Sequence, residues 1–203
     1  MPRVTTVLRK SLKAIQDLDL LKVLQSEIRH EQSYNRFQGN EIGSLGDFVL
    51  DWDSPQSQDV VLRKKCDSGE EVAVSALLGL ETFHEDSRFP REALMKICIK
   101  KPGLSSILQF DCGVISRGDD CSEFDIRNAY YIQSLTCLDS SVYRGPLLSS
   151  LDPLLQDELK QYLVASGIGE SLTNFLLHHL HKKEQGQYVN WLHILETVVA
   201  QSE

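Results

Sequence analysis

The middle of the chain alternates apolar and polar residues with a period of two, in run after run, and no helical stretch separates the runs. Parallel strands need long, usually helical crossovers, so short connections require antiparallel pairing. A polar loop is predicted at 78–92, and a short extended piece lies near Val142 to Arg144. The strand-like runs are 48–53, 57–66, 70–80, 91–101, 105–115 and 124–134. The sequence therefore predicts an antiparallel meander of about seven consecutive strands.

Helical spacing replaces this alternation at both ends of the chain. Apolar residues recur three and four apart from about Thr6 to His30, and again from Leu147 to Glu203. This spacing gathers them on one stripe of each helix, which must pack against another element. The open sheet also has a face to bury. We therefore expect an α+β fold with one N-terminal and two or three C-terminal helices flanking the sheet.

We predict a single domain over residues 1–203. It consists of an N-terminal helix and loop (1–45), the antiparallel sheet (46–146) and the C-terminal helices (147–203). No apolar run approaches the roughly 20 residues that a membrane-spanning helix needs, so we expect no membrane insertion. The apolar helix residues proposed for helix–helix assembly are Leu12, Ile15, Leu24, Ile28, Tyr188, Trp191, Leu195 and Val198.

The formal charge of −8 is unevenly distributed. Residues 1–45 hold seven Lys/Arg against five Asp/Glu, whereas residues 46–203 hold fourteen against twenty-four. An acidic body disfavours direct binding to nucleic acid and favours basic partners. The densest acidic group is a candidate partner-contact patch, with a solvated loop as the alternative. It comprises Asp119, Asp120, Glu123 and Asp125.

Three histidines near the C-terminus are the nearest approach to a metal cluster. His178 and His181 share a helix face, with His179 and Glu184 close in sequence, and His plus carboxylate can bind zinc. No catalytic spacing such as H-E-x-x-H is present, so a solvated polar face is the preferred interpretation. We predict no metal, cofactor or catalytic residue. A metal-dependent hydrolase using His178 and His181 stays open as the alternative.

Cysteine usage indicates a reducing compartment. There are five cysteines, an odd number, and no two have the C-x-x-C spacing of redox or zinc sites. We expect buried or unreactive thiols rather than a disulfide framework. The basic start of the chain, which has no acidic residue before Asp17, is similar to the end of a mitochondrial transit segment. The first turns of an ordinary helix are the alternative interpretation.

Five stretches in a fixed order carry a family resemblance. They are Leu24–Glu31, Val61–Lys64, Asp111–Cys112, Gly167–Ile168 and Tyr188–Val199. Together they cover roughly residues 20 to 202 and resemble the mitochondrial glycoprotein family, which comprises acidic mitochondrial matrix proteins. The acidic insertions of the family are short in this chain.

The resemblance implies a homotrimer with a twisted antiparallel sheet in each subunit and coiled-coil-like contacts between terminal helices. It implies a non-enzymatic binding and scaffold protein of the mitochondrial matrix, which supports mitochondrial gene expression or oxidative phosphorylation through basic protein partners. A nucleic-acid-associated adaptor that acts through basic partners is a further alternative.

Overall fold

The computed structural model describes residues 3–33, 43–81, 89–117, 121–134, 143 and 145–201. The chain divides into two compact units, which we call the helical unit (Met1–Gln38 and Lys182–Glu203) and the sheet unit (Gly39–His181). The elements, in chain order, are α1 (Arg3–Ser33), β1 (Val49–Asp53), β2 (Val60–Lys65), β3 (Glu71–Glu81), β4 (Arg91–Lys100), β5 (Ile107–Ser116), β6 (Ser122–Ile132), a short 3-10 helix (Leu148–Ser150), α2 (Pro153–Ala165) and α3 (Glu170–Ala200).

The six strands form one sheet in the order β1-β2-β3-β4-β5-β6, and every neighbouring pair is antiparallel. This confirms the α+β meander, with six strands rather than about seven. Val142 and Arg144 of the expected extended piece lie outside the described residues. The predicted loop at 78–92 was wrong at its ends, because β3 continues to Glu81 and β4 starts at Arg91.

Alternation divides the sheet into a buried face and a second face. On β4, Ala93, Met95, Ile97 and Ile99 are almost fully buried, as expected for one side of a pleated strand. The buried apolar residues of α2, of the corner that follows it and of the first part of α3 belong to the same sheet unit and its core. They are Leu163, Ile168, Leu172, Leu176, Leu177 and Leu180.

The corner between α2 and α3 is a tight C-terminal cap. Gly167 has φ +98°, its N–H donates to Val164 O, and the N–H of Ile168 donates to Leu163 O at 3.0 Å. This is a Schellman arrangement, which needs a left-handed residue after the helix. The Lys64 ammonium lies 3.5 Å from Ser166 O and 3.2 Å from Asp47 Oδ2. The ammonium of Lys64, on β2, therefore interacts with the Ser166 carbonyl at the end of α2.

The helical unit pairs α1 with the second part of α3. Leu24, Ile28 and Leu192 form its buried apolar cluster, with Leu195 and Val199 packed against it. The second part of α3 is continuous with the first, so the C-terminal region contains two α-helices, within the predicted range.

Gly167→Ala tests the cap. A Cβ would lie 3.1 Å from Lys64 Nζ and 3.2 Å from Phe48 Cε2, and the positive φ is itself unfavourable for alanine. We expect the free energy of unfolding to fall by about 1–3 kcal/mol in urea denaturation. Gly169→Ala is the matched control, because its Cβ would meet no atom within 4 Å. Equal stability of the two variants would contradict the strained-cap interpretation.

Candidate interaction surfaces

The predicted acidic patch is partly neutralised within the fold. Glu123 on β6 forms ion pairs with Arg117 Nε and with Lys160 Nζ of α2, both at 3.3 Å. The hydrogen bond from Lys160, followed by its charge, lowers the pKa of Glu123. Asp125 is exposed and forms no ion pair within the described part of the chain, whereas Asp119 and Asp120 lie outside that part. Asp125 is thus the described carboxylate of this patch that is open to a partner.

A polar row crosses the second face of the sheet. Ser75, Lys96, Asp111 and Asn128 are aligned in register on β3, β4, β5 and β6. Antiparallel neighbours in this position lie close enough for their side chains to interact. The row therefore gives the second face a polar character that the buried face lacks.

A depression of about 430 Å³ lies along this row. Its lining combines the polar side chains with the apolar Leu77 and Leu94 and with Arg127. Lys96 makes no ion pair with any residue that the structure describes, so its positive charge is available there. The second face thus offers both apolar contact and polar groups, which are the components of a protein-binding surface.

An ion pair bridges three strands beside the depression. Arg127 of β6 donates to Glu92 of β4, and both side chains pass over Gly113 of β5. A Cβ at Gly113 would lie 2.7 Å from Arg127 Nη2 and 3.0 Å from Glu92 Oε2. The hydrogen bond to Glu92 raises the pKa of Arg127, so the guanidinium stays charged and compensated. Gly113 makes room for this bridge.

Two of the cysteines, Cys112 and Cys98, agree with the expectation of unreactive thiols. Cys112 is buried, and burial raises the pKa of its thiol to about 12. Burial also raises the pKa of Cys98. Because the thiolate is the reactive form, neither thiol is a good nucleophile near neutral pH. Cys66 is half-buried, Cys121 is exposed, and Cys137 lies outside the described residues.

The histidines do not form the solvated polar face that the sequence suggested. His178 and His181 are 3% and 2% exposed, and the ring of Phe89 lies 6.3 and 4.6 Å from theirs. His179 points elsewhere, with Nε2 2.8 Å from Asp53 Oδ2. The solvated interpretation was wrong because Phe89, far away in sequence, covers two of the rings. Among the described residues, no carboxylate or thiol completes a three-ligand group with these two histidines, so the structure adds no support for a metal-dependent hydrolase at this position.

The predicted assembly residues divide into two groups. Leu24, Ile28 and Leu195 pack within the helical unit, whereas Ile15, Trp191 and Val198 are each more than half exposed. Tyr188 stacks on Trp191 with ring centroids 6.0 Å apart, and its hydroxyl donates to Glu27 Oε1 at 3.3 Å. The side chain of Leu12 lies outside the described part of the chain. The exposed group is available to a partner surface.

One cluster of potential metal ligands was not identified from the sequence. Glu27, His30 and Glu31 of α1 bring their ligand atoms within 4.8 Å of one another, and no other such group occurs among the residues searched, which are the described ones. The signal was present as Glu-x-x-His-Glu, because residues three and four apart share a helix face. That stretch was interpreted only as part of the family resemblance.

The family model described as mitochondrial glycoprotein matches residues 81–199, more than half of the chain. The chain belongs to the mitochondrial glycoprotein family. Two of the stretches that carried the resemblance, Leu24–Glu31 and Tyr188–Val199, contact each other in the helical unit. Two others, Val61–Lys64 and Gly167–Ile168, meet at the cap of α2.

A curated relative is the mitochondrial acidic protein mam33 of Schizosaccharomyces pombe, which is 34% identical over 122 residues, covering 53% of this chain and 43% of that protein. The chain thus spans less than half the length of this relative. The names of the family and the relative support a mitochondrial location, and they describe an acidic protein and a glycoprotein family rather than an enzyme. Among the described helices, none has the length and hydropathy to cross a membrane.

Two solved structures share the fold. They are the Trypanosoma brucei p22 protein, with 21% identity, and a Leishmania major protein described as a sequence homologue of human p32, with 17% identity. Each has a TM-score of 0.66, and each alignment covers 91% of this chain and 99% of the other. At these identities the likeness concerns the fold alone.

The buried His181 predicts a pH dependence of stability. Burial, with the charge of Arg91 and the neighbouring His178 acting in the same direction, lowers the pKa of His181 to about 4 from its ordinary value of 6.5. The folded state therefore takes up this proton at a lower pH than the unfolded state does. The neutral His181 ring therefore contributes on the order of 3 kcal/mol to the free energy of unfolding. This contribution is complete above about pH 6.5 and is lost as the pH falls through about 4.

His181→Gln removes this titration. In urea denaturation, the variant should lose less stability than the wild type between about pH 6.5 and pH 4, whatever its stability at pH 7. His193→Gln, which changes an exposed ring in the helical unit, should keep the wild-type slope. Parallel curves for wild type and His181→Gln would show that the buried ring does not control the acid sensitivity.

Proposed function

We propose that the protein is a non-enzymatic, homotrimeric binding and scaffold protein of the mitochondrial matrix. It supports mitochondrial gene expression or oxidative phosphorylation through basic protein partners. The observation that supports assembly most strongly is the exposure of large apolar side chains on both helices of the helical unit. Family membership and the acidic charge support the remainder.

The helical unit exposes more large apolar side chains than we expect of a stable monomer. Those that are over half exposed are Ile15, Leu18 and Val23 on α1, and Trp191, Ile194 and Val198 on α3. Burying a side chain of this size contributes about 1.5–3 kcal/mol. Exposed apolar patches on soluble proteins mark interaction sites. Further copies of the same chain would cover these residues by contacts of the coiled-coil kind.

Assembly would turn a modest acidic surface into a multivalent one. A trimer presents three copies of the surface around Asp125 and triples the formal charge of −8. Several weak contacts on one assembly raise the overall avidity without any tight single contact. A partner rich in Lys and Arg would therefore bind the trimer more strongly than the monomer. A nucleic-acid-associated role would act through such basic partners.

The carboxylates available for this contact lie on β6 and α2. Asp157 lies one helical turn before Lys160, whose ammonium reaches Glu123 of β6, so the two elements share a surface region. Asp157 and Glu158 are exposed, as is Asp125. Glu123 contributes less because two cations already neutralise it.

Trp191→Glu tests the assembly. We expect the wild type to keep a mass near three chains over a hundredfold dilution in size-exclusion chromatography with light scattering. The variant should dissociate toward monomer, because it places a charge in an apolar contact. Trp52→Glu is the matched control, since Trp52 is 53% exposed and Trp191 52%, but Trp52 lies on β1 of the sheet unit. A monomeric wild type would end the trimer proposal.

Asp125→Asn tests the acidic surface. An oligolysine peptide should bind the wild type severalfold more weakly in 1 M than in 0.1 M salt, because the screening length shrinks from about 10 Å to about 3 Å. The variant should bind more weakly at low salt and depend less on salt. Asp152→Asn removes the same charge at the N-cap of α2, where asparagine caps equally well, and should have a smaller effect. Salt-independent binding by the wild type would contradict the electrostatic mechanism.

A further inference from the structure

The cluster on α1 has the composition of a transition-metal site. Glu27, His30 and Glu31 supply two carboxylates and one imidazole, and all three ligand atoms lie within 4.8 Å of one another. The spacing of three and four residues places them on one face of the helix. A set of three protein ligands with nitrogen and oxygen donors matches zinc sites that leave a further position to water.

We propose that Glu27, His30 and Glu31 bind a divalent transition-metal ion of the zinc class. The imidazole sets the preference, because nitrogen ligands suit zinc, copper and nickel, whereas calcium and magnesium favour all-oxygen shells. Two carboxylates balance the charge of a divalent ion. The site lies within the helical unit of one chain, so it does not depend on the proposed trimer.

Contacts from α3 hold the cluster in position. The Tyr188 hydroxyl donates to Glu27 Oε1 at 3.3 Å, and Gln185 Nε2 donates to the backbone carbonyl of Glu31 at 3.4 Å. A hydrogen bond such as that from Tyr188 orients a metal-binding carboxylate and increases the affinity of a site, whereas the bond from Gln185 joins α3 to the backbone of α1. Desolvation, followed by the negative charge of Glu27, raises the pKa of Tyr188, so the phenol stays protonated and remains a donor. The Glu27 carboxylate is therefore already held by a contact from α3.

The nearest guanidinium on the same helix is turned away from the cluster. Arg29 Nε donates to the carbonyl of Gln25, one turn back along α1. His30 Nδ1 lies 3.6 Å from Glu31 Oε1, so a protonated ring would pair with that carboxylate. A metal ion requires the neutral ring and competes with the proton.

The test uses the full chain after treatment with EDTA, and zinc chloride as the probe in isothermal titration calorimetry. We expect one zinc ion per chain with micromolar affinity, and weaker binding of magnesium. Trp191 gives a second readout, because its ring stacks on Tyr188, which contacts Glu27. Zinc should change the tryptophan fluorescence of the wild type.

Two variants and one control locate the ion. His30→Gln and Glu27→Gln should each weaken zinc binding by at least tenfold, and glutamine at 27 can still accept the Tyr188 hydrogen bond. His193→Gln is the control, because His193 lies 3.5 Å from Glu196 and from Gln32 Nε2 but belongs to no three-ligand group among the described residues. It should bind zinc like the wild type. Circular dichroism checks that each variant keeps its helices.

Three outcomes would overturn the proposal. They are the absence of zinc binding by the wild type, unchanged affinity in both His30→Gln and Glu27→Gln, and equal affinities for zinc, calcium and magnesium. The last would indicate diffuse attraction of cations to acidic groups. Because the zinc titration requires neither a trimer nor a basic partner, its result is separable from that of the proposed function.

Discussion

The residue-by-residue antiparallel register of β3, β4, β5 and β6 is the constraint on which the rest of the sheet unit depends. It places Met95 opposite Cys112 in the core and Lys96 opposite Asp111 on the second face. A slip of one residue would exchange the two faces. Short connections leave the chain no parallel alternative. One face can therefore be dry while the other presents polar side chains to a partner.

Under the proposed function, the two compact units would have different roles. The sheet unit carries the polar second face and Asp125, whereas the helical unit carries the exposed apolar side chains such as Trp191. A charged surface controls how fast and how selectively a basic partner is recruited. An apolar helix surface favours permanent association. If the proposed function holds, association and recruitment would thus lie on separate parts of one chain.

The sequence predicted the elements well and the contacts between distant elements poorly. The strands were predictable because Met95, Ile97 and Ile99 alternate with polar neighbours, a local pattern. The burial of His178 and His181 was not, since it depends on Phe89, which lies almost ninety residues away. The ion pair that neutralises Glu123 likewise involves Lys160 of another element. Local periodicity reports which residues share a face, whereas side-chain partners depend on tertiary packing.

Gly113 couples the evolutionary selection on three positions, which are 92, 113 and 127. Glu92 and Arg127 meet above a residue without a side chain, and a Cβ there would force the ends of both side chains to shift. A bulky residue at 113 would occupy the space in which the pair meets, and Glu92, whose side chain is 14% exposed, is poorly solvated without its counterion. Sequence drift at any one of the three sites thus alters the selection on the other two. Lineages of this fold should accordingly keep or abandon the glycine and both charges together.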